Sequence, residues 1–119
     1  MDKKLVLPLF LFLFFTSCEN SYNYSYTITN STDTIISIHI KTYKIDSTYT
    51  LAKDIKKTIY ITDHGVEGSK GPYFKDVNQD LTIFLVTRGQ LNAKKNYLNN
   101  DSWTFKNGDY STTVINSDF

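Results

Sequence analysis

Trp103-Thr104-Phe105-Lys106-Asn107-Gly108-Asp109-Tyr110 is the stretch that decides the class of fold. Asn107-Gly108 supplies the two positive φ angles of a type I′ turn, and that turn joins neighbouring antiparallel strands. The register follows from it. Phe105 stands opposite Tyr110 and Trp103 opposite Thr112, so one aromatic face meets Tyr110, Thr112 and Val114 of the returning strand. Such a hairpin anchors a core of sheets rather than of helices.

Working outward, the rest of the chain repeats the period of two that a half-buried strand requires. Tyr22, Tyr24, Tyr26 and Ile28 alternate with Asn23, Ser25, Thr27 and Thr29, and Asn30-Ser31-Thr32-Asp33 then supplies turn chemistry. Ile36, Ile38 and Ile40 alternate with Ser37, His39 and Lys41 in a second strand spanning 34–43, expected to pair with the first as a hairpin. A short third strand over 48–51 turns Tyr49 and Leu51 inward, and a fourth over 57–62 turns Ile59 and Ile61 inward, with 52–56 as the turn between them. Residues 63–80 carry Gly65, Gly68, Gly71 and Pro72 among charges and read as a long loop whose Tyr73 and Phe74 fold back on the sheet edge. The nearly continuous apolar run 81–86 reads as a central strand covered on both faces. The expectation is all-β: a single small antiparallel β-sandwich, Ig-like or transthyretin-like, of about seven strands.

The N-terminus belongs to a different kind of segment. Lys3 and Lys4 precede an uncharged apolar run, Leu5 to Phe15, which ends at Thr16-Ser17-Cys18. About 11 apolar residues rise only ~16 Å as a helix, roughly half a hydrocarbon core, so the run suits a cleaved signal and not a stable span. Phe15-Thr16-Ser17-Cys18 resembles the lipobox of bacterial lipoproteins, which implies cleavage between Ser17 and Cys18 and lipid on the Cys18 thiol. The chain then divides into a signal peptide, 1–17, a lipidated cysteine with a short tether, 18–21, and the β-domain, 22–119. One acyl chain holds a protein only marginally, whereas two or more hold it stably. Glu19, Asn20 and Ser21 extend at most ~10 Å, so the domain is expected close to the headgroups. Glu19 differs from the Asp associated with inner-membrane retention, and the expected location is an outer membrane, facing the periplasm.

Removing the signal takes away two lysines and one aspartate, leaving 11 basic and 11 acidic residues of the original 13 and 12. A neutral chain lacks the clustered positive charge that displaces counterions from nucleic acid, so no nucleic-acid partner is expected. With a single cysteine no intrachain disulfide forms, and with that cysteine lipidated no thiol nucleophile remains.

Catalysis has little to start from. His39 and His64 stand in no triad or ligand spacing, neither Gly-x-Ser-x-Gly nor His-Glu-x-x-His occurs, and Asp63-His64 is the nearest thing to a general base. No enzyme activity and no cofactor are expected. Asp76-x-Asn78-x-Asp80 has the oxygen spacing that opens a calcium loop, but Leu81 stands where the turn glycine belongs and Thr87 where the bidentate Glu belongs. No metal site is expected.

Aromatic residues make up 15% of the chain, and an exposed ring offers a large rigid face to a partner or a sugar. Most of the tyrosines suit a strand core equally well. Tyr73 and Phe74 in the loop, with Tyr97, are the binding candidates. One coplanar exposed row of the three favours a glycan, whereas a mixed convex patch favours a protein or other envelope component. Asp33-Thr34-Ile35 and Asp46-Ser47-Thr48 are similar to the periplasmic O-glycosylation acceptor of Bacteroidota, which makes Thr34 and Ser47 candidate acceptors against a reading as plain turn chemistry.

Taken together, Asn30-Ser31 after a Tyr-rich strand, Gly71-Pro72-Tyr73-Phe74, Asp80-Leu81-Thr82-Ile83-Phe84, Arg88 with Leu91-Asn92, Asn96-Tyr97 and the ending Ser117-Asp118-Phe119 resemble small Bacteroidota lipoproteins of uncharacterised function. The resemblance implies the compartment and the sandwich. It brings no activity, cofactor or catalytic residue.

Overall fold

Twelve alternating residues with few breakers make the first strand, β1 (Glu19–Asn30), long enough to serve two neighbours. The computed structural model describes residues 19–68 and 71–119; Ser17 and Cys18 lie outside them. Seven more strands follow: β2 (Ile36–Lys41), β3 (Asp46–Leu51), β4 (Lys56–Glu67), β5 (Ile83–Arg88), β6 (Leu91–Asn92), β7 (Thr104–Lys106) and β8 (Asp109–Val114). They form two four-stranded sheets, ordered β4-β1-β8-β7 and β3-β2-β5-β6. The fold is an all-β sandwich of eight strands. Every pairing is antiparallel except that of β1 with β8, which is parallel and sets the first strand beside the last.

The C-terminal hairpin has the register its turn demands. Phe105 pairs with Tyr110, and Asn107 and Gly108 hold φ of 51° and 86°. Gly108 has a further reason to be glycine, since a Cβ there would stand 2.8 Å from the Asn23 carbonyl oxygen.

The expected β1–β2 hairpin does not form; the two strands lie in different sheets. Asn30 explains why. Its buried side chain donates to the carbonyls of Thr34 and Leu51 and accepts from the backbone and hydroxyl of Thr32, while its backbone bonds Ile55 and Asp54. That arrangement arches the chain across the sandwich, so β2 meets β3 and β5 instead. Period-two patterning names the inward residues but carries nothing about the partner strand.

β4 departs from expectation twice. It continues through Glu67, so residues 63–67 are strand and not loop. A bulge also opens where Tyr26 faces Tyr60 but Thr27 faces Thr58, leaving Ile59 as the extra residue. The bulge puts Ile59 and Tyr60 both inside and turns Ile61 out to solvent. β5 starts at Ile83, two residues after the run began, and exposes Leu85, so it is covered on one face only.

Between the sheets, Tyr24, Tyr26, Ile28, Tyr110 and Val114 meet Ile36, Ile38, Ile40, Phe84 and Val86. Rings dominate the first sheet's side: Tyr26 stacks on Tyr110 with centroids 4.6 Å apart, and Trp103 stands edge-on to Tyr26 and Phe84. Full burial of each such side chain contributes about 1.5–3 kcal/mol, which sets the direction every loop must follow to cover them.

Candidate functional site

β1 and β4 run past the end of β8 as a two-stranded ribbon, because β8 pairs only from Ser25 onward while β4 pairs from Glu19. The inner face of that ribbon is covered by the loop Gly71-Pro72-Tyr73-Phe74. Gly71 lies so close that a Cβ would sit 2.8 Å from the Tyr22 ring and 2.9 Å from Val66, hence a residue without a side chain. The Tyr24 hydroxyl donates to the Tyr73 carbonyl, and the Tyr110 hydroxyl both accepts from the Lys75 amide and donates to the Lys75 carbonyl. Asn100 then ties the far side, accepting from the Val77 amide and donating to Asp76.

The backbone of this loop is thus fastened at Tyr73, Lys75 and Val77. Tyr73 and Phe74 are 47% and 46% exposed, and Phe74 packs one edge on Phe105 at 5.6 Å. At the same end, the β2–β3 turn carries Tyr43, 76% exposed, with the Lys44 ammonium 5.4 Å from the ring centroid.

Tyr97 does not join this surface. It is 1% exposed, packed against Phe84 at 5.2 Å and Trp103 at 6.3 Å, and its carbonyl accepts from the Trp103 indole. The coplanar row of three rings is therefore absent, and Phe74 and Phe105 stand at 88° to each other. Of the two candidate acceptor hydroxyls, Thr34 sits in an exposed turn, whereas Ser47 lies half-buried within β3 opposite Ile40.

The histidine that the sequence pairs with Asp63 has another partner. Successive strand residues face opposite ways, so Asp63 looks to solvent while His64 turns inward. There its Nε2 meets Asp80 Oδ1 at 2.7 Å, and the Tyr26 hydroxyl donates to Asp80 Oδ2 at 2.6 Å. A carboxylate only accepts, which assigns the His64 proton to Nε2. The Asp80 side chain is 1% exposed and that of His64 21%, with Tyr24 edge-on to the imidazole at 4.9 Å. Both carboxylate oxygens are thus occupied by donors from two strands of one sheet, an arrangement that clamps the loop's end to the core. No local pattern in the sequence announces it, because Asp80 reaches Tyr26 and His64 only through the loop's path.

Asp80 turned inward and Asp76 bonded to Asn100 leave the Asp-x-Asn-x-Asp oxygens divergent. No group of three or more His, Cys, Asp or Glu side chains converges among the described residues. Two shallow grooves also open on the surface, the first beside the β2–β3 turn. One of about 350 Å³ is lined by Lys44, Ile45, Tyr49 and residues 58–61, and one of about 360 Å³ by Lys95, residues 101–104 and residues 111–113.

Burial governs the buried phenols. It pushes Tyr110 up to about 12, and raises Tyr26 and Tyr97 further. For Tyr26 the hydrogen bond to Asp80 adds to burial, since it holds the protonated form. Tyr24 is raised by burial as well, against the opposing bond to Tyr73.

The class defined by this geometry is a small β-sandwich with a strapped aromatic loop at the end where β1 begins. No family model, curated protein or solved structure matches the chain.

Proposed function

We propose that this chain is a lipid-anchored, non-catalytic module of the bacterial cell envelope, held at Cys18 and binding an envelope component through its aromatic loop. One observation carries the reading. Tyr73 and Phe74 are solvent-facing on a loop whose backbone is tied to Tyr24, Tyr110 and Asn100, which lowers the backbone ordering cost of binding. Exposed rings on a tied backbone are otherwise an unexplained cost in a domain that buries Tyr24, Tyr26, Tyr97, Trp103 and Tyr110.

The signal-like segment and Phe15-Thr16-Ser17-Cys18 support the anchor, and the outer membrane facing the periplasm is the proposed location. The non-catalytic part is supported by the His64–Asp80–Tyr26 cluster, where both oxygens of the buried carboxylate are taken by the Tyr26 hydroxyl and His64 Nε2. The carbohydrate alternative has lost Tyr97 from its platform and rests on the exposed rings of Tyr73 and Phe74 alone. Fractionation of cells expressing the parent and Cys18→Ser tests the anchor: the parent should pellet with membranes and the variant should be released. Equal recovery of both in the membrane fraction would refute it.

A further inference from the structure

We infer that the component bound by the Tyr73–Phe74 surface is the phospholipid headgroup layer of the membrane that holds the anchor, so that the domain reclines on the bilayer; this depends on the lipid at Cys18 proposed above.

The join between anchor and domain leaves little choice. β1 is paired from Glu19, opposite Glu67, so the three residues that the sequence offers as a tether are already strand. Gly71 packs on Tyr22 and Tyr73 is bonded by Tyr24, three and five residues along β1 from Glu19, which is ~10–17 Å at strand rise. A protein partner would have to wedge into that gap between domain and lipid, with no slack chain to make room. The bilayer is already there.

An upright strand would hold the rings above a headgroup layer only ~5–8 Å deep, so the ribbon must incline toward its loop-bearing face. The side chains on that face suit the landing. Every exposed aromatic residue among the described ones, Tyr43, Tyr73 and Phe74, lies at this end. Of the four exposed isoleucines, Ile35, Ile55 and Ile115 gather instead at the opposite end, around the Asn30 arch, and Ile61 faces solvent from the middle of β4. Tyrosine rings, part apolar and part hydrogen-bonding, belong at the headgroup level, where isoleucine has no such preference. Lys44 folds its ammonium over the Tyr43 ring, which places a cation beside the most exposed of these rings.

Charge at this end is not basic. Among the described residues Lys41, Lys44, Lys75 and Lys106 are more than offset by Glu19, Asp46, Asp63, Glu67, Asp76 and Asp109, so contact depends on the rings and not on anionic lipid.

Spin labels on the lipidated mature protein test this. Tyr73→Cys and, as the far-end control, Ile115→Cys are each labelled after Cys18 is blocked by its own lipid, and the proteins are placed in phosphatidylcholine vesicles. Collision with a water-soluble nickel chelate should be several-fold weaker at 73 than at 115, with the same ratio in vesicles containing phosphatidylglycerol. Equal accessibility at both positions, in protein whose intact mass carries the lipid, would overturn the inference and leave the anchor standing. Protection at 73 in unlipidated Cys18→Ser protein free in solution would also overturn it, because a second copy and not lipid would then cover the surface. Absence of lipid on the mass would instead remove the anchor reading itself.

Discussion

Replacing Asp80 by asparagine keeps the volume of the side chain and removes its charge, which isolates the electrostatic part of the clamp at the loop's end. The carboxylate accepts two charge-assisted bonds, 2.6 Å from the Tyr26 hydroxyl and 2.7 Å from His64 Nε2, while almost wholly buried. Bonds of that kind contribute about 1.5–3 kcal/mol each, and a buried donor left unpaired costs a further ~1–3 kcal/mol. An amide can accept at one end only. It therefore keeps one weakened, uncharged bond and can meet His64 Nε2 with its NH2 group only if the imidazole proton moves to Nδ1, for a net loss of about 3 kcal/mol. For a domain near 100 residues each kcal/mol moves the Tm by roughly 4–8 °C, so the variant should melt about 12–24 °C below the parent. Tyr26→Phe should lose about 1.5–3 kcal/mol, and combined with Asp80→Asn the two losses should fall short of additive, since they share one bond. Urea and thermal unfolding followed by circular dichroism read both quantities. An Asp80→Asn protein within ~0.5 kcal/mol of the parent would refute the clamp.

Gly108→Ala should destabilise by about 2 kcal/mol or more, because the position needs φ of 86° and an added Cβ would meet the Asn23 oxygen at 2.8 Å. Chemical denaturation measures it, and a neutral result would contradict the turn. In alkali the raised phenols Tyr24, Tyr26, Tyr97 and Tyr110 stay protonated in the fold, whereas in the unfolded chain they ionise near the ordinary tyrosine value of 10.0. The unfolded state then binds fewer protons, so stability is complete below pH 10, falls as pH rises past it, and is lost toward the folded value of about 12 and beyond. Phenolate absorbance should accordingly show a group of tyrosines ionising together with loss of structure. Gradual ionisation of all nine, with the fold intact, would contradict their burial.

What the sequence discloses is local. Asn107-Gly108 states both the turn and its register, and the alternation through Tyr24, Tyr26 and Ile28 is enough to name the inward residues of β1. Features that depend on distant chain are silent. The Asn30 arch looks like turn chemistry, yet whether a turn returns along its own strand or crosses to another sheet depends on Leu51, Asp54 and Ile55. The bulge at Ile59 reverses the inward face of β4 within one residue, so an unbroken period of two places Ile61 on the wrong side. Parallel pairing of β1 with β8 leaves no mark on either strand.

The candidate site is legible in the same measure. Glycines and a proline around Tyr73 and Phe74 mark a loop, and both rings do stand half-exposed on it. Tyr97 lies in an equally polar segment, but Trp103 and Phe84 close over it, a packing that no neighbouring residue foretells. Around Asp80 the local spacing suggests a cation, whereas its buried partners, Tyr26 and His64, lie 54 and 16 residues away.

Everything proposed for the membrane turns on Cys18. Intact-mass measurement of the protein purified from membranes should give the chain from Cys18 to Phe119 plus the mass of a diacylglyceryl group and an additional acyl chain. A membrane-derived protein that retains residues 1–17, or that begins at Cys18 with an unmodified thiol, would contradict it.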